Sequence, residues 1–203
     1  MGLRLRRNSR RARKYSERKT KLMISIIRAT ANDYRAIADI GKISVEESHR
    51  GSCSEKDMNE FLEEHYNSST IQDELKNEKN IYHIIYLNGT PAGFSKIILN
   101  AEHPNIPQKN ITKLDRIYLL KEYFDHKLGL ELLKFNIEIS KNNQQSGIWL
   151  FTWIGNTRAV NFYLKAGFEI IGSHKFKVTE THNNQHHQMF LDYSAIDIAQ
   201  QKM

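Results

Sequence analysis

The chain has 203 residues, 39% of them hydrophobic and 26% charged, enough apolar material for one sizeable core and too much for a disordered or low-complexity chain. No run approaches the roughly eighteen apolar residues of a membrane-spanning helix, and a single cysteine, Cys53, excludes an internal disulfide or a cysteine zinc cluster. The formal charge of +7 sits at one end: residues 1–22 hold ten basic residues and one acid, whereas the other 181 hold 20 basic and 22 acidic.

The basicity therefore describes a tail and not the domain, and contact with nucleic acid is expected only through that tail. With Leu3, Leu5 and Leu22 as its only large aliphatic residues, the segment 1–22 is expected to be disordered when free. It lacks the apolar stretch of a secretory signal, and Gly2 is followed by Arg6 where myristoylation wants Ser or Thr. It is arginine-rich like a mitochondrial presequence, yet without a clear amphipathic stripe. A phosphate-binding arm, a targeting peptide and a solvated extension all fit it, and Met23, directly before the first strand-like run, is a candidate start. A cytoplasmic location is the default.

From Met23 onward the pattern is globular, without internal repeats. Met23 to Arg28 is short and β-branched, a strand, and Thr30 or Asn32 then caps a helix carrying Tyr34, Ile37, Ala38 and Ile40 at helical spacing. Ser54 to Tyr66 is a second helix and Thr70 to Glu78 a shorter third. The period then changes to two: Ile81 to Leu87 and Ala92 to Leu99 form a hairpin around Asn88-Gly89-Thr90-Pro91. After a polar loop, Ile111 to Leu120 is another strand. Lys127 to Asn143 is a helix with Leu128, Leu132, Phe135 and Ile139 on its buried stripe, backed by Leu133 and Ile137. Gly147 to Trp153 is nearly all apolar, as in a strand covered on both faces. Asn156 to Ala166 is a short helix stopped by Gly167, and Phe168 to Val178 with Gln188 to Tyr193 makes a closing hairpin.

The step from the 111–120 strand through a helix to the 147–153 strand demands a right-handed crossover between parallel strands. The expected fold is thus α/β: a mixed central sheet with a parallel pair at its centre and helices on both faces, spanning residues 23–193 and followed by a tail, 194–203. Ligands bind beyond the carboxyl ends of such parallel strands, here where Ile117-Tyr118-Leu119 ends. Phe124-Asp125-His126-Lys127-Leu128-Gly129 then leads backbone N–H groups into a helix N-terminus, an anion site. Gly129 permits close approach of a phosphate. An ordinary helix cap explains the same pattern, and Asp125 has the wrong sign for a phosphate unless its side chain caps the helix.

The second half of the chain adds a motif. Trp153-x-x-Asn156-x-x-Ala159-x-x-Phe162-Tyr163-x-x-x-Gly167-Phe168 resembles the closing motif of the GCN5-related N-acetyltransferases. Ile117-Tyr118-Leu119 with the 124–129 loop resembles their acetyl-CoA motif, and the element order agrees from Met23 to Tyr193. The run Leu114-Asp115-Arg116-Ile117-Tyr118, with Trp149 and Trp153, looks most like the bacterial spermidine/spermine acetyltransferase branch. The family's usual loop is Arg or Gln, two residues, Gly, one residue, then Gly or Ala. Phe124 replaces the first of these and Lys127 the first glycine.

The resemblance implies acetyl-CoA as co-substrate, no metal, and a small-molecule amine that attacks the thioester directly; similar proteins are often homodimers. It implies that the backbone at Ile117, Tyr118 and Leu119 holds the pantetheine arm and polarises the thioester carbonyl, while the 124–129 loop with Leu130 holds the diphosphate. Asn156 would bond the cofactor, and Tyr163 would protonate the departing thiolate. Each has a plainer alternative: Tyr163 as a core aromatic beside Phe162, Asn156 as an N-cap, and Asp115 in a salt bridge instead of drawing the amine's proton through water. A polyamine or other small cationic amine is the expected acceptor, met by Glu46, Glu47 and Asp115. A protein N-terminus, a lysine or an amino-sugar would suit the same chemistry, and a non-catalytic CoA- or nucleic-acid-binding protein is the alternative from another class. His174, His182, His186 and His187 fall around an expected hairpin loop without other ligand types, a solvated loop and not a metal site. Cys53 has no activating neighbour.

Overall fold

A computed structural model describes residues 22–195; the rest of the expected basic and C-terminal tails lies outside the described residues. The strands are β1 (Ile24–Arg28), β2 (Ile81–Leu87), β3 (Thr90–Ile98), β4 (Ile111–Leu119), β5 (Gly147–Trp153), β6 (Glu169–Lys177) and β7 (Asn183–Asp192). The helices are α1 (Tyr34–Ser48), α2 (Glu55–His65), α3 (Ser68–Lys76), α4 (Leu128–Asn142) and α5 (Thr157–Lys165). The expected order holds throughout.

Local chemistry sets the starts. Thr30 and Asp33 form a capping box ahead of α1, Ser54 Oγ accepts the Asp57 N–H at 3.1 Å at the start of α2, and Asn67 Oδ1 accepts the Thr70 N–H at 2.9 Å. The Asn67 cap moves the start of α3 to Ser68, ahead of the expected Thr70. Asn88 (φ 51°) and Gly89 (φ 82°) both occupy the left-handed region, the geometry of a two-residue hairpin turn. The tight turn lets β3 begin at Thr90, two residues earlier than the hydrophobic pattern indicates.

The seven strands form one sheet in the order β1-β2-β3-β4-β5-β7-β6, with β4 and β5 its parallel pair. Buried residues gather in clusters around it: Ile37, Ile71, Tyr82 and Phe94 in one, Leu133, Ile148, Met189 and Tyr163 in another. The largest departure from expectation is β7, which starts at Asn183 and not at Gln188. Its buried positions there are Asn184, His186 and Gln188, a period of two carried by polar side chains that hydrophobic alternation cannot reveal. The histidines follow: His174 lies in β6 and His186 and His187 in β7, so only His182 stays in the connecting turn. Among the described residues no group of three metal-ligating side chains forms.

The feature that positions the site is a mismatch in pairing. β4 and β5 pair only through Ile111–Gly147, Thr112–Ile148 and Lys113–Trp149. Beyond those three rungs the strands part, while β4 stays paired with β3 up to Leu119. The register between β3 and β4 also slips: Lys96 pairs with Arg116 and Ile97 with Leu114, leaving Asp115 as the extra residue of a β-bulge. A bulge bends the strand and sharpens its twist, which helps carry β4 away from β5.

Candidate active site

The parted strands open a cleft of about 1010 Å³. Its floor is the free edge of β4, where Ile117, Tyr118 and Leu119 line the wall; α4 and α5 flank its far end, and the end of α1 closes the near one. An edge whose N–H and C=O groups lack a neighbouring strand accepts an extended ligand as an added strand would be accepted.

The segment before α4 differs from an open loop. Lys121–His126 is a 3₁₀ turn, and Lys127 takes φ 58°, ψ 15° before α4 begins at Leu128. This left-handed conformation is the one glycine adopts most readily, so a lysine here carries strain while keeping the backbone path. No side chain caps the helix, Asp125 included, and its first N–H groups are left for another acceptor. Phe124, Lys127, Gly129 and Leu130 line the cleft. A Cβ on Gly129 would sit 3.2 Å from Leu119 Cδ1, so this glycine also lets α4 lie against the end of β4.

Three expected cofactor residues fall elsewhere. Leu128 is fully buried, packed in a cluster with Ile85, Leu87, Ala92 and Leu132, so its apolar side chain belongs to the core. Asp125 and His126 lie on the 3₁₀ turn away from the cleft lining, Asp125 exposed. With about three residues per turn in the 3₁₀ segment and about 3.6 in α4, consecutive side chains point in different directions, so the six could not all face the cleft.

Tyr163 lies on α5 at 7% exposure, with Phe162 and Phe168 edge-on at 5.2 and 5.4 Å, and lines the cleft. The ring packs with core aromatics, as the plainer reading expects, and the residue also borders the cleft. Burial, and next the neighbouring Tyr118, push its phenol well above the usual tyrosine range, which keeps it protonated. Asn156 is the N-cap of α5, its Oδ1 accepting the Ala159 N–H at 3.0 Å; its amide nitrogen is the half that could serve a ligand, and the residue lines the cleft.

Asp115 lines the cleft as well, but as part of an ion network. Lys113 Nζ lies 2.6 Å and Lys96 Nζ 3.1 Å from its carboxylate, with Arg116 at 4.0 Å. Burial acts to raise its pKa, and Lys113, Lys96 and Arg116 outweigh that, holding it down to about 2. With both lysines on its carboxylate, Asp115 stands in the structure as their counter-ion, the salt-bridge alternative of the two expected readings. Behind it, Glu74 on α3 accepts from Lys96 at 2.8 Å, from Arg116 at 3.0 and 2.9 Å, and from the Tyr82 hydroxyl. This lattice ties α3 to β2, β3 and β4 beneath the site.

Several lining residues carry no signal in the motifs. His49, at the end of α1, stacks on Trp153 of β5 with centroids 5.9 Å apart, and burial lowers its pKa to about 4. A second hollow of about 60 Å³ shares His49 and Tyr118 with the cleft and is walled by Val45, Met58, Phe61, Phe176 and Val178. Arg158 and Lys165 line the cleft beside Phe162; their spacing of four and seven residues along α5 places all three on one helix face, the pattern that could have found them.

An uncapped helix end, a free strand edge and cations at Lys121, Lys127, Arg158 and Lys165 suit an extended anionic thioester such as acetyl-CoA. Comparison with known proteins agrees. Residues 44–168 match the acetyltransferase (GNAT) family. The chain is 25% identical over 153 residues to an uncharacterized N-acetyltransferase of Lactobacillus delbrueckii subsp. lactis, covering 75% of this chain and 88% of that one. It is 24% identical over 156 residues to a spermidine N(1)-acetyltransferase of Thermoplasma acidophilum, covering 73% and 90%. The fold matches the crystal structure of the PaiA N-acetyltransferase of T. acidophilum in complex with coenzyme A at a TM-score of 0.67 and 21% identity, over 84% of this chain and 99% of that one. With the family matched over more than half its length, the chain belongs to the acetyltransferase (GNAT) family and is an acetyl-CoA-dependent acyltransferase.

Proposed function

We propose that the protein transfers the acetyl group of acetyl-CoA to a primary amine of a small cationic acceptor, with polyamines as the substrate class. The observation that carries this reading is Glu47. It lines the cleft, and its Oε2 is buried without a hydrogen-bond partner among the described residues. A buried carboxylate oxygen left unpaired is costly, and an incoming ammonium would remove that cost. Of the other two expected counter-charges, Glu46 is exposed and Asp115 is committed to its lysines. The neighbouring apolar hollow offers methylene groups a place beside the reacting end. The 24% identity to a spermidine N(1)-acetyltransferase points the same way.

In this reading the residues divide the work. The backbone at Ile117, Tyr118 and Leu119 aligns the pantetheine arm, and an N–H there polarises the thioester carbonyl. The backbone N–H groups at the start of α4, with Lys127, hold the diphosphate. The neutral amine attacks the carbonyl carbon, the C–S bond breaks, and Tyr163 gives its proton to the departing thiolate; the nitrogen loses one to water, and water returns one to Tyr163. The test compares spermidine with butylamine as acceptors at low and high salt. Spermidine should react faster at low salt, the advantage should shrink as salt screens the charges, and Glu47→Gln should remove it. Equal rates for the two amines at low salt would reject the polyamine class.

A further inference from the structure

Phe124 takes the place where similar loops carry Arg or Gln, and a guanidinium lies against it all the same. Arg158, near the start of α5, stands with its Cζ 3.3 Å from the centre of the Phe124 ring, a face-on stack that spans the cleft between the 3₁₀ turn and α5. Both residues line the cleft. Among the described residues Arg158 makes no hydrogen bond or ion pair, and the charge of Asp125 is the one carboxylate that acts on its guanidinium. The guanidinium has given up part of its hydration, and burial pulls its pKa below the ordinary arginine value with only that one carboxylate opposing. An exposed cation that faces a cleft, fixed over an aromatic ring and without an ion pair of its own, is set up for an anionic ligand.

We infer that Arg158, held flat on Phe124, is the binding residue for the 3′-phosphate of the adenosine end of coenzyme A. This rests on the acetyl-CoA reading of the cleft. Coenzyme A carries a diphosphate and one further phosphate on its ribose. The diphosphate already has donors in the uncapped start of α4 and in Lys127. Arg158 reaches the cleft from α5, a different element from the start of α4, and so can take the remaining phosphate while those donors hold the diphosphate. Phe124 acts through Arg158: it positions the fork and contributes the face on which a planar cation rests. The cation missing at position 124 is supplied by α5.

The test is calorimetric titration of the full chain with coenzyme A and with 3′-dephospho-coenzyme A. A charge-assisted contact of this kind corresponds to roughly 10- to 100-fold in affinity, so the unaltered chain should prefer coenzyme A by about that factor. Arg158→Ala should erase the preference by weakening coenzyme A alone, leaving the dephospho compound within about threefold. Arg158→Lys should restore part of it, having charge but no fork, and Phe124→Ala should shrink it without touching the charge. Melting temperatures of the variants should match the parent, since neither residue belongs to the buried core. Equal affinity of the parent for both compounds would overturn the assignment. So would an Arg158→Ala loss shared equally by both, which would place the contact on the diphosphate. Failure of either compound to bind the parent would instead remove the acetyl-CoA reading on which the assignment stands.

Discussion

Replacing Tyr163 by phenylalanine removes one oxygen from a residue whose ring is anchored by Phe162 and Phe168 and whose hydroxyl has no hydrogen-bond partner among the described residues. The substitution should therefore leave packing, melting temperature and cofactor affinity nearly unchanged, and act on chemistry alone. General acids contribute about 10²- to 10⁴-fold, or roughly 3–5 kcal/mol of barrier. Burial raises the Tyr163 phenol, which makes it a weaker acid than in water, so a fall in kcat near the lower end, about 100-fold, is expected. The raised pKa has a second consequence: the parent should show no alkaline decline from this group up to about pH 10. The assay is kcat by thiol release across the pH range, beside calorimetric binding of acetyl-CoA. A loss in kcat with binding changed by less than about threefold marks an interaction made in the transition state. Unchanged kcat would remove Tyr163 from the mechanism, and joint loss of binding and folding would leave it a core aromatic only.

Glu74→Ala should destabilise the fold by about 3–5 kcal/mol, because it strips Lys96 and Arg116 of their shared carboxylate in a largely buried setting; urea denaturation showing a loss below about 1 kcal/mol would contradict the network's role. His49 and His83 are both held down to about 4 by burial. Their unfolded forms bind protons near pH 6.5 that the folded forms refuse, so stability is full above that pH and is lost as pH falls toward 4. The loss at pH 5 should be on the order of 2 kcal/mol for each histidine, and equal stability by urea denaturation at pH 5 and 7.5 would contradict it. A chain starting at Met23 should keep its melting temperature and acetyl-CoA affinity, since Met23 exchanges hydrogen bonds of 2.9 and 2.8 Å with Asn88 and so anchors β1 itself; a drop of several degrees would refute this.

What was legible in the residues is what period and composition report. The apolar run Gly147–Trp153 marked the covered strand and the helical spacing from Leu128 marked α4, so the parallel crossover followed. The buried face of α4 nevertheless runs through Leu132, Leu133, Asn136 and Ser140, while the expected Phe135 and Ile139 are half-buried. Hydrophobic alternation was silent where polar side chains fill buried positions, as at Asn184, His186 and Gln188 of β7. Backbone geometry was silent too. Neither the left-handed Lys127 nor the bulge at Asp115 has a composition, and the bulge places Asp115 among the lysines that make it a counter-ion. The loop motif named six consecutive residues, but they run from a 3₁₀ turn through Lys127 into α4, and helical backbone cannot aim six side chains one way. Arg158 was missed because its partner, Phe124, lies 34 positions away in the chain, and the stack exists only once the fold brings α5 to that turn.

The measurement that bears most directly on the proposal is amine-dependent release of free thiol from acetyl-CoA by the full chain, with mass analysis of the acceptor. The expected result is one acetyl group gained by the acceptor's primary amine for each thiol released, with spermidine ahead of neutral-tailed amines and release abolished when the amine is omitted. Thiol release that ignores the amine, or an acceptor recovered without its acetyl group, would contradict acetyl transfer in this cleft.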